Sequence, residues 1–223
     1  MSTKTRKLVF TAVLAALTTA FTLISIPLAT GYFNFGDLVI FIASVLLGPL
    51  YGAIVGAIGG ALGDVILSYF VYAPFTLVIK ALEGVIVGFL YKAISKFCKD
   101  RESNIFEMIF TLLANLLAGS VMAVGYFLAE GLLLSEDRWV GGIANLPFNV
   151  LQGVISAFVA IILLYPCQLK KVFKRYFYKN SLPVDKQNTI DESNLAENTE
   201  KENGDLSVED KNEEGKNLWK KLK

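Results

Sequence analysis

Long apolar runs alternate along this chain with short polar connectors. Runs at about 7–29, 72–95, 105–134 and 146–167 each hold the roughly 20 residues that a helix needs to cross a hydrocarbon core about 30 Å thick. Residues 37–70 are too many for one crossing helix, and they are interrupted at Gly48-Pro49. Proline is tolerated in a first helical turn, and the residue before it avoids helical geometry. That segment is therefore expected to form a short helix over 37–48 and a longer one over 49–70, giving an all-α polytopic membrane protein of six transmembrane helices. From Asn180 the apolar period ends and Asp, Glu, Asn, Lys and Ser take over, so the segment cannot bury enough surface to offset its ordering entropy. The division expected is a transmembrane domain over 1–179 and a disordered acidic cytoplasmic tail over 180–223. Asn217–Lys223, with Trp219, could make a short basic surface helix, but so short a helix is marginal alone.

Composition supports the bilayer as solvent. The chain is 54% apolar, with a mean hydropathy of +0.52. Its formal net charge of +1 hides an asymmetry: residues 1–179 carry 14 Lys and Arg against 9 Asp and Glu, and 180–223 carry 7 against 11. Lys4, Arg6 and Lys7 precede the first run, Lys92, Lys96, Lys99 and Arg101 follow the fourth helix, and Lys170, Lys171, Lys174, Arg175 and Lys179 follow the sixth. Six crossings place all three clusters on one side, which the positive-inside rule makes cytoplasmic; five would not. Both termini are then cytoplasmic, and 30–37, 69–74 and 135–145, where Arg138 is the sole basic residue, face outward. The basic start followed by apolar sequence resembles a signal peptide, but without a convincing small-residue cleavage site it reads as a retained helix.

The absence of histidine removes the commonest metal ligand and general base, so a metal site, zinc chemistry and His-dependent nucleophilic catalysis are not expected. Cys98 and Cys167 fall at cytoplasmic helix ends and should stay free thiols. Neither a resident cofactor nor a nucleic-acid partner is expected.

Polar groups at membrane depth carry more information, because desolvation makes them rare without a partner or a cavity. Asp64 and Lys80 fall at similar depth near the outer ends of neighbouring helices and could pair, with Glu83 on the same helical face as Lys80. Asp64 reads as structural; Lys80 and Glu83 suit either a structural ion cluster or the floor of a ligand pocket. The loop Tyr32-Phe-Asn-Phe-Gly-Asp37 and the aromatics Tyr69, Tyr72 and Phe75 supply flat faces, amides and a carboxylate, which suit a neutral heterocycle. Asn145, Asn149 and Gln152 recur at i, i+4 and i+7, a polar stripe running inward from the outer mouth, and Asn115, Tyr126 and Glu130 lie on the fifth helix. The pocket residues expected are Asn34, Asp37, Tyr72, Lys80, Glu83, Asn145 and Asn149. Ala12, Ala16 and Ala20 form a strip of small side chains that either packs within the bundle or receives another helix. Gly52, Gly56, Gly59, Gly60 and Gly63 form a denser strip, for which internal packing is the better reading.

The blocks Gly31-Tyr-Phe-Asn-Phe-Gly-Asp37, Gly48-Pro-Leu-Tyr-Gly52, Tyr72-Ala-Pro-Phe-Thr76 and Lys80-Ala-Leu-Glu-Gly84 resemble the substrate-binding S component of energy-coupling factor (ECF) vitamin importers, over about residues 7–167. The closest branch is the riboflavin type, whose members are also assigned to pyridoxine or hydroxymethylpyrimidine. The resemblance implies an S-component-like bundle in the bacterial plasma membrane, with a substrate cavity near the outer side capped by the loop after the first helix. It also implies that the Ala12, Ala16 and Ala20 face docks on a transmembrane coupling subunit driven by two cytoplasmic ATPases. The chain has no glycine-rich phosphate loop of its own, in keeping with a non-enzymatic role. The alternatives are a membrane scaffold or assembly protein without transport activity, and a lipid-modifying enzyme using Asp64, Lys80 and Glu83. A channel is disfavoured, since the sixth helix turns apolar from Val154 to Leu164. The acidic tail departs from the compact family pattern.

Overall fold

A computed structural model describes residues 3–27, 32–98, 104–131 and 139–179 of the chain. The tail from Asn180, with Trp219, and Arg138 lie outside the described residues. One compact unit covers 1–174, and a second begins at Arg175.

The helices are α1 (Thr3–Leu23), α2 (Gly36–Leu47), α3 (Pro49–Ile66), α4 (Ala73–Phe97), α5 (Asn104–Ala129), α6 (Val140–Leu164) and α7 (Leu169–Lys179). A two-residue antiparallel ladder, β1 (Ile26–Pro27) with β2 (Tyr32–Phe33), joins α1 to α2 and pairs Ile26 with Phe33. Six of these helices fall where the sequence places them, and α7 is a further helix in the basic segment expected to flank the last span. Five of the six, α1 and α3 to α6, are long and apolar enough to cross a membrane alone.

The exception explains the site. The 12 residues of α2 reach about 18 Å, little more than half a hydrocarbon core. All of them but Leu46 are buried. A helix apolar on every side is enclosed by protein, and α2 packs against α1, α3, α4 and α6. Phe41, Ile42 and Val45 meet Val87 of α4, Ala118 of α5 and Ala157, Ala160 and Leu164 of α6 in the apolar core. Because α2 occupies only part of the bundle's length, the residues that lead from β2 into it enter the space beyond its N-terminus.

The turn between α2 and α3 needs Gly48, whose φ of 95° disfavours a side chain. Pro49 then opens α3, as the sequence indicates. The α3 glycines do pack internally. Gly59 sits against α1 so closely that a Cβ there would lie 2.7 Å from the Ala15 carbonyl oxygen, and one on Gly60 would lie 2.9 Å from Thr76 of α4. By contrast Ala12, Ala16 and Ala20 are exposed on the outside of α1, and only Ala15 turns inward.

Candidate functional site

Two layers of polar side chains occupy the end of the bundle left free by α2. The lower layer is a buried charge cluster. Asp37, in the first turn of α2, accepts a hydrogen bond from Lys80 of α4, and the Lys80 ammonium also lies 3.3 Å from Glu83 Oε2. All three side chains are essentially inaccessible. This corrects the expected Asp64–Lys80 pairing: Lys80 reaches α2 rather than α3, because α2 ends between the long helices and places Asp37 in reach. The cluster sets one cation against two carboxylates, so removing Lys80 would leave buried carboxylates without a counter-charge.

Gln152 of α6 closes the cluster from above. Its Nε2 donates to Asp37 Oδ2 at 2.9 Å, and its Oε1 accepts from the Asn34 backbone N–H at 2.8 Å. Asn34 in turn accepts from the Gly36 N–H at 2.8 Å, which sets the turn into α2. Gln152 lies twelve residues into α6, about 18 Å along its axis. The β2 segment therefore dips deep into the bundle.

The upper layer lines a cavity of about 410 Å³ of atom-free space, a figure that includes its open mouth. Asn34 and Gln152 form its floor, and Asn149 and Asn145 continue up α6. Opposite them, Tyr32, Tyr69 and Tyr72 make a wall of rings, with centroids 5.0 Å apart for Tyr32 and Tyr69 and 5.9 Å for Tyr69 and Tyr72. The Tyr32 hydroxyl donates to Asp64 of α3, so Asp64 is taken by the β2 segment. Tyr126 of α5 donates to Thr76 Oγ1 at 2.9 Å, and its ring faces the Lys80 ammonium. Glu130, just past α5, accepts from Asn145 Nδ2 at 3.1 Å.

Burial, reinforced by Asp64, lifts the Tyr32 phenol far above its ordinary range. Burial, with Glu130 nearby, pushes the Tyr72 phenol up to about 12. Both stay neutral donors at physiological pH. Burial also raises the Glu130 carboxyl, partly offset by its bond to Asn145.

Of the expected pocket residues, Asn34, Tyr72, Asn145 and Asn149 line the cavity, while Asp37, Lys80 and Glu83 lie in the charge cluster beneath it. Gln152, on the polar stripe but outside the expected pocket set, joins the two layers. Its place at i+7 from Asn145 was the available signal. Tyr32, Tyr69, Asp64, Tyr126 and Glu130 also line the cavity. Among the described residues no group of His, Cys, Asp and Glu is arranged to hold a metal ion. Cys98 and Cys167 are free thiols.

Residues 2–171 match the family described as ECF-type riboflavin transporter, S component. A Pyrococcus woesei protein described as "Uncharacterized protein in gap 3'region" is 38% identical over 139 residues, covering 62% of this chain and 86% of the relative.

Proposed function

Since the chain belongs to the S-component family of ECF-type riboflavin transporters, multi-pass membrane subunits that bind substrate for import, we propose that it captures an unphosphorylated, water-soluble vitamin. Riboflavin comes first, because the family is named for it, and pyridoxine and hydroxymethylpyrimidine share the chemistry required.

The observation that carries this is the makeup of the cavity wall. Three tyrosine rings face a column of three α6 amides, with the Asn34 amide at the floor. Rings supply stacking surface, and amides supply donors and acceptors at the edge of a heterocycle. Among the described residues the lining contains no Lys or Arg, and its acids are Asp64 and Glu130. Lys80, the nearest cation below, is occupied by Asp37 and Glu83. A phosphate would thus enter without a counter-charge, which favours neutral vitamins over their phosphate esters.

Transport requires partners. A transmembrane coupling subunit would dock on the exposed Ala12, Ala16 and Ala20 strip, where small side chains allow close helix approach. Two cytoplasmic ATPases would supply the energy, since this chain carries no phosphate loop. The basic clusters favour an orientation with both termini on the cytoplasmic side of the cell membrane and the cavity mouth outside.

Titration of the purified protein in mild detergent, by riboflavin fluorescence quenching with pyridoxine and hydroxymethylpyrimidine as competitors, tests this. Saturable one-to-one binding of one of them, weakened in Asn149→Ala, is expected. Indifference to all three would remove the vitamin assignment and favour a scaffold role.

A further inference from the structure

A second cavity lies at the opposite end of α5 and α6, between the start of α5 and the corner into α7. It holds about 780 Å³ of atom-free space, open mouth included. Ile105, Met108, Leu164 and Pro166 give it apolar walls, and Lys170 and Lys171 stand at its edge.

The two lysines have different surroundings. Lys170 donates to Glu107 at 2.5 Å and lies over the rings of Tyr91 and Tyr165, at 5.5 and 5.0 Å from their centroids. It ties the start of α7 to α4 and α5, and Glu107 offsets its charge. Lys171 is exposed, as is Lys174 one turn on, and among the described residues no carboxylate pairs with either. Val172, between them in sequence, is 61% exposed. The sequence of α7, LKKVFKRYFYK, contains no acid. Apolar and basic side chains exposed together on a short helix, a few residues after a membrane span, mark a helix lying in the headgroup layer.

An apolar slot edged by lysines at that depth fits an amphiphile with an anionic head. A soluble anion would leave the walls unused. A zwitterionic lipid would fill them but bring its own cation beside the phosphate. We propose that this groove binds an anionic phospholipid, with an acyl chain between α5 and the α6–α7 corner and the phosphate at Lys171 and Lys174.

Native mass spectrometry of the full chain in mild detergent, titrated with phosphatidylglycerol or with phosphatidylcholine of the same acyl chains, tests the proposal. The wild type should take up one phosphatidylglycerol at concentrations at least about fivefold lower, the scale of one lysine near an anionic surface. Lys171→Gln with Lys174→Gln should abolish that preference, and Met108→Trp, which fills the slot, should weaken both lipids. Excess glycerol phosphate should not displace the lipid. Equal uptake of the two lipids by the wild type would overturn the proposal whatever the variants do. So would a preference that survives the double substitution, or displacement by glycerol phosphate.

Discussion

Gln152 of α6 donates its side-chain amide to Asp37 of α2 at 2.9 Å. With its carbonyl end it also holds the Asn34 backbone at 2.8 Å. One side chain therefore fixes the floor of the cavity, the first turn of α2 and the dip of the β2 segment together. Whatever occupies the cavity rests on a surface whose shape depends on the charge cluster below it.

Gln152→Leu should then act on binding as well as on stability. It keeps the approximate bulk but leaves the Asn34 N–H and an Asp37 oxygen buried without their partner. Each orphaned group costs about 1–3 kcal/mol, so vitamin affinity is expected to fall by at least about tenfold, with a lower melting temperature. A titration curve unchanged from wild type would show that Gln152 is not the floor of the binding site.

Lys80→Met should be the most damaging single change in the bundle. It would leave Asp37 and Glu83 facing one another in a buried space with no cation, a loss on the order of 3–5 kcal/mol. Adding Asp37→Asn to it should recover part of that loss by removing one stranded charge. Thermal melting of the single and double variants compares them directly. A double variant no more stable than Lys80→Met would mean that the cluster contributes through packing rather than charge.

These features differ in how far the sequence revealed them. The long helices were legible because a bilayer imposes a length rule on apolar runs, and Gly48-Pro49 marks the α2–α3 turn through backbone chemistry alone, whereas the basic run that forms α7 offered no apolar period to read. The polar stripe on α6 was legible from helical periodicity. The partner of Lys80 was not: depth along a helix puts Asp64 level with Lys80, whereas the true partner depends on α2 ending inside the bundle, a tertiary fact. For the same reason Tyr32 could be read as an interfacial aromatic but not as the group that takes Asp64. The exposure of Ala12, Ala16 and Ala20, left open by their spacing, was settled by the α3 glycines drawing the Ala15 and Thr18 side of α1 inward.

That difference between the two faces of α1 separates folding from docking. Gly59→Ala would push a methyl group against the Ala15 carbonyl, so a loss of roughly 1–3 kcal/mol is expected from overpacking, visible as a lower melting temperature. Ala16→Phe lies on the exposed face and should leave melting and vitamin binding unchanged. It should nevertheless block copurification with the coupling subunit and reduce vitamin uptake in cells to background. Normal uptake by Ala16→Phe would move the docking surface off this strip.

Glu130 gives the cavity a pH dependence of definite sign. Burial raises its carboxyl above the ordinary value of 4.5, so the folded chain keeps a proton that the unfolded chain has released. Its contribution to stability is complete below about pH 4.5 and is lost as pH rises through the folded-state value. Glu130→Gln carries no titrating proton yet keeps an oxygen that can accept from Asn145 Nδ2, so it should lack this slope. Subtracting the melting temperatures of the two proteins cancels the other titrating groups. The wild type is therefore expected to lose ground to Glu130→Gln as pH rises above about 4.5, with the variant the more stable at the alkaline end. A difference that stayed flat, or grew in favour of the wild type as pH rose, would mean that the carboxylate is solvated at the mouth rather than buried against Asn145.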